Sequence, residues 1–279
     1  MAVRGEFVVL GFAVLLVGGV GAMAVQARQQ GAARSATATP LAQHRDARDA
    51  QRPAAAVSAP PRDFVVTANR TLLELDGVPV RAIALPAPAR DAEEVRRTLA
   101  ARGGGTYIGE MLAQEDSMLV RWPDRTLTAL RVWVQPHADV PGWSDGYPQV
   151  VRDVFPEWSV AGFPIRFLHV LDSATADLHI RFTRSLPGLQ IGLTNRFRDE
   201  HGWIVAAEII LATGDQSGKP LPAGLISAIA RHEVGHALGL GHASDPAMLM
   251  FPESRTTTIT ATDRATLHLL YSLPPGTVR

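Results

Sequence analysis

The chain has 279 residues, 46% of them apolar, with 27 basic residues against 27 acidic ones and no cysteine. That is enough chain for one sizeable packed domain or two small ones. Balanced charge with no long run of either sign gives no footing to a nucleic acid or an acidic polymer as partner. Without cysteine the fold has no disulfide, and no thiolate can act as ligand or lock. Lys219 is the only lysine, so nearly all the positive charge is arginine.

Phe7 to Val25 is uncharged and follows Arg4. It is longer than the roughly 7–15-residue core of a signal peptide and just long enough to cross a bilayer. Residues 1–27 are therefore expected to be a signal peptide, cut near Ala22 and Ala24 or Val25 and Ala27, or an uncut membrane anchor in helical form. Arg28, Arg34 and Arg45 downstream outnumber Arg4 upstream, against the positive-inside bias for an anchor of that orientation. Residues 28–62 are rich in Ala, Gln, Arg, Pro and Thr, too poor in large apolar side chains to offset the entropy of ordering. A disordered linker is expected there.

Globular composition begins at Asp63. Phe64-Val65-Val66, Leu72 to Leu75 and Val78 to Val80 are short strand-like runs, the last two joined by the hairpin signal Asp76-Gly77. Asp91 and Glu94 form a capping pair for a helix to about Ala101, which Gly103-Gly104-Gly105 would end. Thr106 to Leu112 and Ser117 to Trp122 read as two strands. Residues 63–116 are taken as a small N-terminal pro- or accessory region, on position alone.

The main domain is expected over residues 117–279. Leu127 to Val134 is its first long strand. Val150, Val151, Val154, Phe155 and Trp158 share a helical stripe that Pro156 must end or kink. Ile165 to Val170 is a second strand, and Leu178, Ile180 and Phe182 alternate with His179, Arg181 and Thr183 in a third with one buried face. Leu189 to Phe197 and Trp203 to Leu211 flank the turn-like Asp199-Glu200-His201-Gly202, and a Gly/Pro-rich loop precedes a helix from about Ala223. A final helix opens at Thr260, whose hydroxyl can cap the N–H of Asp263. Strand, helix, strand, strand in this order gives an α+β mixed sheet with helices packed on it.

The chemistry concentrates in His232-Glu233-Val234-Gly235-His236-Ala237-Leu238-Gly239-Leu240-Gly241-His242. On a helix His232 and His236 stand one turn apart on one face, with Glu233 beside them. Gly239 can take a positive φ, turning the chain back to deliver His242 as a third nitrogen. Three histidines leave one corner of a zinc tetrahedron open, the pattern of a catalytic site rather than a closed structural one. A bare H-E-x-x-H occurs by accident on many helices; the added Gly and His at the required spacing make this string specific.

Ala243-Ser244-Asp245-Pro246-Ala247-Met248-Leu249-Met250-Phe251-Pro252 follows. With the histidine string it resembles the matrixin branch of the metzincin zinc metallopeptidases. Met250 matches that family's Met-turn methionine, an apolar floor beneath the metal; without the likeness, Met248 and Met250 would read as core filling. The likeness, strongest over residues 232–252, extends to about 117–273, where Thr260 to Tyr271 matches the final helix. It implies a metzincin-like mixed sheet with an active-site helix and a C-terminal helix, whose antiparallel edge strand, Leu189 to Phe197, holds an extended polypeptide substrate by its unpaired backbone groups. It also implies one catalytic Zn2+ on His232, His236 and His242, and Glu233 as general base. His179 and His201 are too few to rebuild the structural zinc and calcium loop of matrixins, so they read as solvent-facing residues and Ca2+ is left without support. The family's cysteine latency has no residue to perform it. Export is favoured, giving a secreted, periplasmic or membrane-anchored enzyme. Two alternatives stay open: a zinc-bearing peptide-binding module without turnover, and a zinc hydrolase of small amides.

Overall fold

The computed structural model describes residues 57–66, 72–75, 78–81, 85–253 and 256–278. The apolar segment Phe7 to Val25 and most of the expected linker lie outside them. Among the described residues no helix is long and apolar enough to cross a membrane.

In chain order the elements are β1 (Arg62–Val65), β2 (Leu72–Leu75), β3 (Val78–Arg81), α1 (Ala92–Arg102), α2 (Ile108–Gln114), β4 (Met118–Leu119), β5 (Arg125–Val134), α3 (Tyr147–Arg152), α4 (Phe155–Ser159), β6 (Ile165–His169), β7 (Leu178–Thr183), β8 (Gly192–Arg198), β9 (Ile204–Ala212), α5 (Ala223–Ala237), α6 (Ala261–Tyr271) and β10 (Gly276–Thr277). The main sheet runs β1-β8-β9-β7-β5-β6. Strands β9, β7, β5 and β6 are mutually parallel, β8 is antiparallel to β9, and β1 lies parallel to β8 on its outer side. Two short antiparallel pairs, β2 with β3 and β4 with β10, complete the strands.

The core sits between this sheet and α5. Leu178, Ile180, Ile204, Ile209 and Leu211 on the strands meet Ile226, Ile229 and Val234 on the helix, all of them buried. Such burial is worth about 1.5–3 kcal/mol per large aliphatic side chain. The stripe expected before Pro156 is present but divided into α3 and α4, because Pro156 suits a first helical turn and cannot continue a preceding helix. Val151, Val154, Phe155 and Trp158 are buried on it. Asp91 caps α1 by accepting from the Glu93 and Glu94 amides, and Thr260 with Asp263 forms a full capping box on α6.

Three expectations need correction. Thr106 to Leu112 is not a strand: Ile108 and Met111, three residues apart, bury one face of α2, and the Tyr107 hydroxyl donates to Asp263 Oδ1 at 3.2 Å. The described end of the expected disordered linker, Val57 to Arg62, is seated on the sheet: Ser58 bridges Gly192 and donates its amide to the Pro252 carbonyl at 2.9 Å. His179 does not face solvent but is buried, with Nε2 at 2.8 Å from the Ser173 carbonyl. A strand covered on both faces reads in sequence like one covered on a single face when a buried polar side chain finds a partner. Val95, Tyr107, Ile108 and Met111, inside the region expected to be accessory, belong to the same core as the rest.

Candidate metal centre

α5 begins with Pro222 as its N-cap and buries Ile226, Ile229, Ala230 and Val234 against the sheet. That orientation carries His232 and His236 to the helix's other buried flank. The helix ends because Gly239 turns left-handed, with φ of 105°. A β-carbon there would collide with the Val120 carbonyl, so the bend needs glycine both conformationally and sterically. Two side chains hold the end of the helix by donating to its free carbonyls, Trp122 Nε1 to Ala237 at 2.7 Å and the Tyr271 hydroxyl to Leu238 at 3.0 Å, while Trp158 Nε1 donates further back along it, to the Arg231 carbonyl at 3.1 Å.

Beyond the bend, His242 is fixed through its backbone by Gln114 of α2. The amide nitrogen of Gln114 donates to the His242 carbonyl at 3.0 Å, and the His242 N–H donates to Gln114 Oε1 at 3.1 Å. His232, His236 and His242 thereby bring one ring nitrogen each to within 4.8 Å of one another, all three residues buried.

The proton positions follow from the partners. His232 Nδ1 lies 2.7 Å from the Leu249 carbonyl and His236 Nδ1 lies 2.8 Å from the Leu240 carbonyl, so in each ring Nδ1 carries the hydrogen. Both Nε2 atoms then present lone pairs to each other at 3.0 Å. His242 Nε2 is buried with no hydrogen-bond partner. Three converging lone pairs without a shared proton repel one another unless a cation lies among them, and neutral imidazoles are the donors zinc prefers. The donor set fits zinc.

Burial keeps the rings neutral. It lowers the His232 pKa to about 4 and the His242 pKa to about 3, the latter also through His232. His236 lies well below its usual range through burial and its two histidine neighbours.

Glu233 is buried beside them. Burial pushes its carboxyl up to about 7, against the opposing pull of two hydroxyl donors. Those donors are Thr194 of β8, 2.6 Å from Oε2, and Ser58, 2.6 Å from Oε1. A β-carbon on Gly192 would overlap Oε1, so the helix carboxylate can approach the strand this closely only because Gly192 lacks one. Met250 is buried against α5, where a β-carbon on Gly235 would lie 2.5 Å from its sulfur. The Ala243 amide donates to the Met250 carbonyl at 3.0 Å, tying the turn back to the loop that carries His242.

The five residues singled out in the sequence thus lie together: His232, His236, His242, Glu233 and Met250 share one buried region at the end of α5. Sequence reasoning missed Ser58, Gln114, Gly192 and Thr194. None carries a local motif, and each reaches the site through a contact 39 or more residues away along the chain. A cleft of about 600 Å3 beside the rings is lined by Gln114, His242, Ala243, Ser244, Phe251, Pro252 and Pro60.

This geometry has its counterpart in known proteins. Residues 142–272 match the matrixin family, Peptidase_M10. The chain is 34% identical over 145 residues to Metalloendoproteinase 1-MMP of Arabidopsis thaliana, covering 47% of this chain and 40% of that protein. It is 26% identical over 149 residues to Metalloendoproteinase 1 of Glycine max, covering 48% of each. Residues 142–272 are thus similar to a matrixin domain, and the mixed sheet and helices fit that family's fold. It spans less than half the length of either relative, at 40% and 48%.

Proposed function

We propose that the protein is a zinc-dependent endopeptidase, with His232, His236 and His242 as ligands of one ion, Glu233 as general base and Met250 as the apolar floor of the site. The observation that carries this reading is the convergence of three neutral ring nitrogens within 4.8 Å beside a buried carboxylate. The matrixin match and the metalloendoproteinase relatives support it.

When bound, zinc would supply a water with its pKa lowered toward about 7 and a Lewis acid for the scissile carbonyl. The protein's own groups do the rest. Thr194 holds Glu233 Oε2 by a 2.6 Å hydrogen bond, and Oε1, which accepts from Ser58 in this structure, is the oxygen that takes the proton of the attacking water once that contact opens. Burial raises the Glu233 carboxyl above its ordinary range, which favours its taking that proton and handing it on to the departing amide nitrogen. A polypeptide is the substrate class that the matrixin match and the metalloendoproteinase relatives support, bound in extended form. Residues 1–27 act as the export signal or anchor of an extracytoplasmic enzyme, residues 28–56, short of the segment seated on the sheet, as the tether, and 117–279 as the peptidase domain.

Cleavage of unfolded casein by the purified full chain, with and without chelator, tests this. Glu233→Ala should abolish cleavage while zinc content stays at one ion per chain. Cleavage that survives the substitution removes Glu233 from the mechanism. If no zinc-loaded form, neither the wild type nor the segment variants described below, cuts protein or peptide, the protein is a binding module instead.

A further inference from the structure

We propose that Val57 to Val65 is a built-in occupant of the cleft that keeps the protein quiet by capturing Glu233 with a serine hydroxyl, an inference that rests on the peptidase reading above. Ser58 Oγ donates to Glu233 Oε1 at 2.6 Å, taking the oxygen that a reacting water would need. Both residues are shielded, Ser58 at 5% exposure and Glu233 at 0%.

The segment is fastened to both walls of the site. On one side the Ser58 amide donates to the Pro252 carbonyl at 2.9 Å, just past the methionine turn. On the other, the Ile191 amide donates to the Val57 carbonyl at 3.1 Å, and Arg62, Asp63, Phe64 and Val65 pair in parallel with Asn195, Arg196, Phe197 and Arg198. The outer edge of β8, expected from the sequence to stand open for substrate, is therefore filled by the chain's own β1. Backbone groups so engaged cannot pair with a second extended chain.

Side chains reinforce the seat. Asp63 accepts two hydrogen bonds from the buried Arg196, at 2.7 and 3.1 Å, and the Phe64 ring stacks on Phe197 at 5.2 Å. Pro60 and Pro61 bias the intervening backbone toward an extended form, which lowers the entropy lost on seating. A covalent tether adds a high effective concentration, so even a weakly binding segment fills its site. The contact engages the base rather than the metal, so it requires neither thiolate nor ion.

The test uses the full chain. Ser58→Pro with Phe64→Pro deletes the serine hydroxyl, its amide donor and a strand position, all within the occupying segment itself; Ser58→Ala is the milder companion. Zinc content and thermal midpoint establish that each is folded. Amide exchange of residues 192–198 is read on metal-free protein, and cleavage on zinc-loaded protein. The double variant should exchange faster over 192–198 and cleave a quenched peptide at least about tenfold faster. Ser58→Ala should fall between it and wild type, and a free peptide of residues 57–66 should return the double variant toward the wild-type rate. Equal cleavage by wild type and a folded double variant overturns the inference while leaving the peptidase reading intact. So does wild-type exchange as fast as the variant's. No cleavage by any zinc-loaded form sinks the peptidase reading, and the inference falls with it.

Discussion

Thr194 on β8 and Glu233 on α5 are joined by two bonds from one hydroxyl: Thr194 Oγ1 lies 2.6 Å from Glu233 Oε2 and 3.1 Å from the Glu233 carbonyl. One hydroxyl hydrogen cannot serve both acceptors fully, and the shorter contact, to the carboxylate, is the stronger. Thr194 is fully buried, so it holds the carboxylate at a fixed angle to the ring nitrogens. Thr194→Val keeps the shape and removes the donor. We expect kcat to fall about tenfold with little change in KM or zinc content, the cost of one lost hydrogen bond to a charged group. The acid limb of the kcat profile should also move to higher pH, because a donor that favours the carboxylate form is gone. An unchanged profile would assign Thr194 to packing alone.

Gln114 grips both backbone groups of His242 from a helix that lies outside the stretch matched to the matrixins. Gln114→Ala frees the loop that carries the third imidazole. Zinc affinity should drop by about tenfold or more, with His232 and His236 undisturbed, as measured by competition with a chelator.

Metal removal should leave a folded but weaker protein, because the three rings are held by Leu249, Leu240 and Gln114 through the protein itself. At free zinc 100 times the dissociation constant, the ion should add about 2.7 kcal/mol of stability, read as a rise in thermal midpoint.

The metal-free protein should be acid-sensitive in a defined window. The folded pKa values of His232 and His242, about 4 and about 3, lie below the ordinary 6.5, so between these limits the unfolded chain binds more protons. Stability from these rings is complete above about pH 6.5 and is lost as pH falls toward 3. Glu233 has the opposite sign, since its carboxyl is raised to about 7, but one carboxyl works against three imidazoles. The denaturant midpoint should therefore fall between pH 6.5 and 4, and zinc should flatten that slope above pH 5.

The local parts of this molecule were legible in its sequence, and the long-range parts were not. The helix of His232 and His236, the glycine bend at 239, the capping box of Thr260 and Asp263 and most strands follow from spacing within one or two turns. Ile108 and Met111 misled because a seven-residue helix shows only two of its buried positions, and so few apolar residues fit a strand equally well. Val57 to Arg62 misled for another reason. Its composition cannot bury a core, yet it needs none, since the edge of β8 supplies backbone partners and Glu233 supplies an acceptor. Ser58 and Thr194 are ordinary hydroxyl residues until the fold sets them on opposite oxygens of one carboxylate.

Anomalous diffraction at the zinc edge, from crystals of the full chain grown with zinc, tests the metal centre most directly. One peak is expected, about 2.0–2.1 Å from a nitrogen of each of His232, His236 and His242, with a fourth position taken by no protein atom. A peak bound elsewhere, a fourth protein ligand closing the tetrahedron, or no peak among these rings would contradict it.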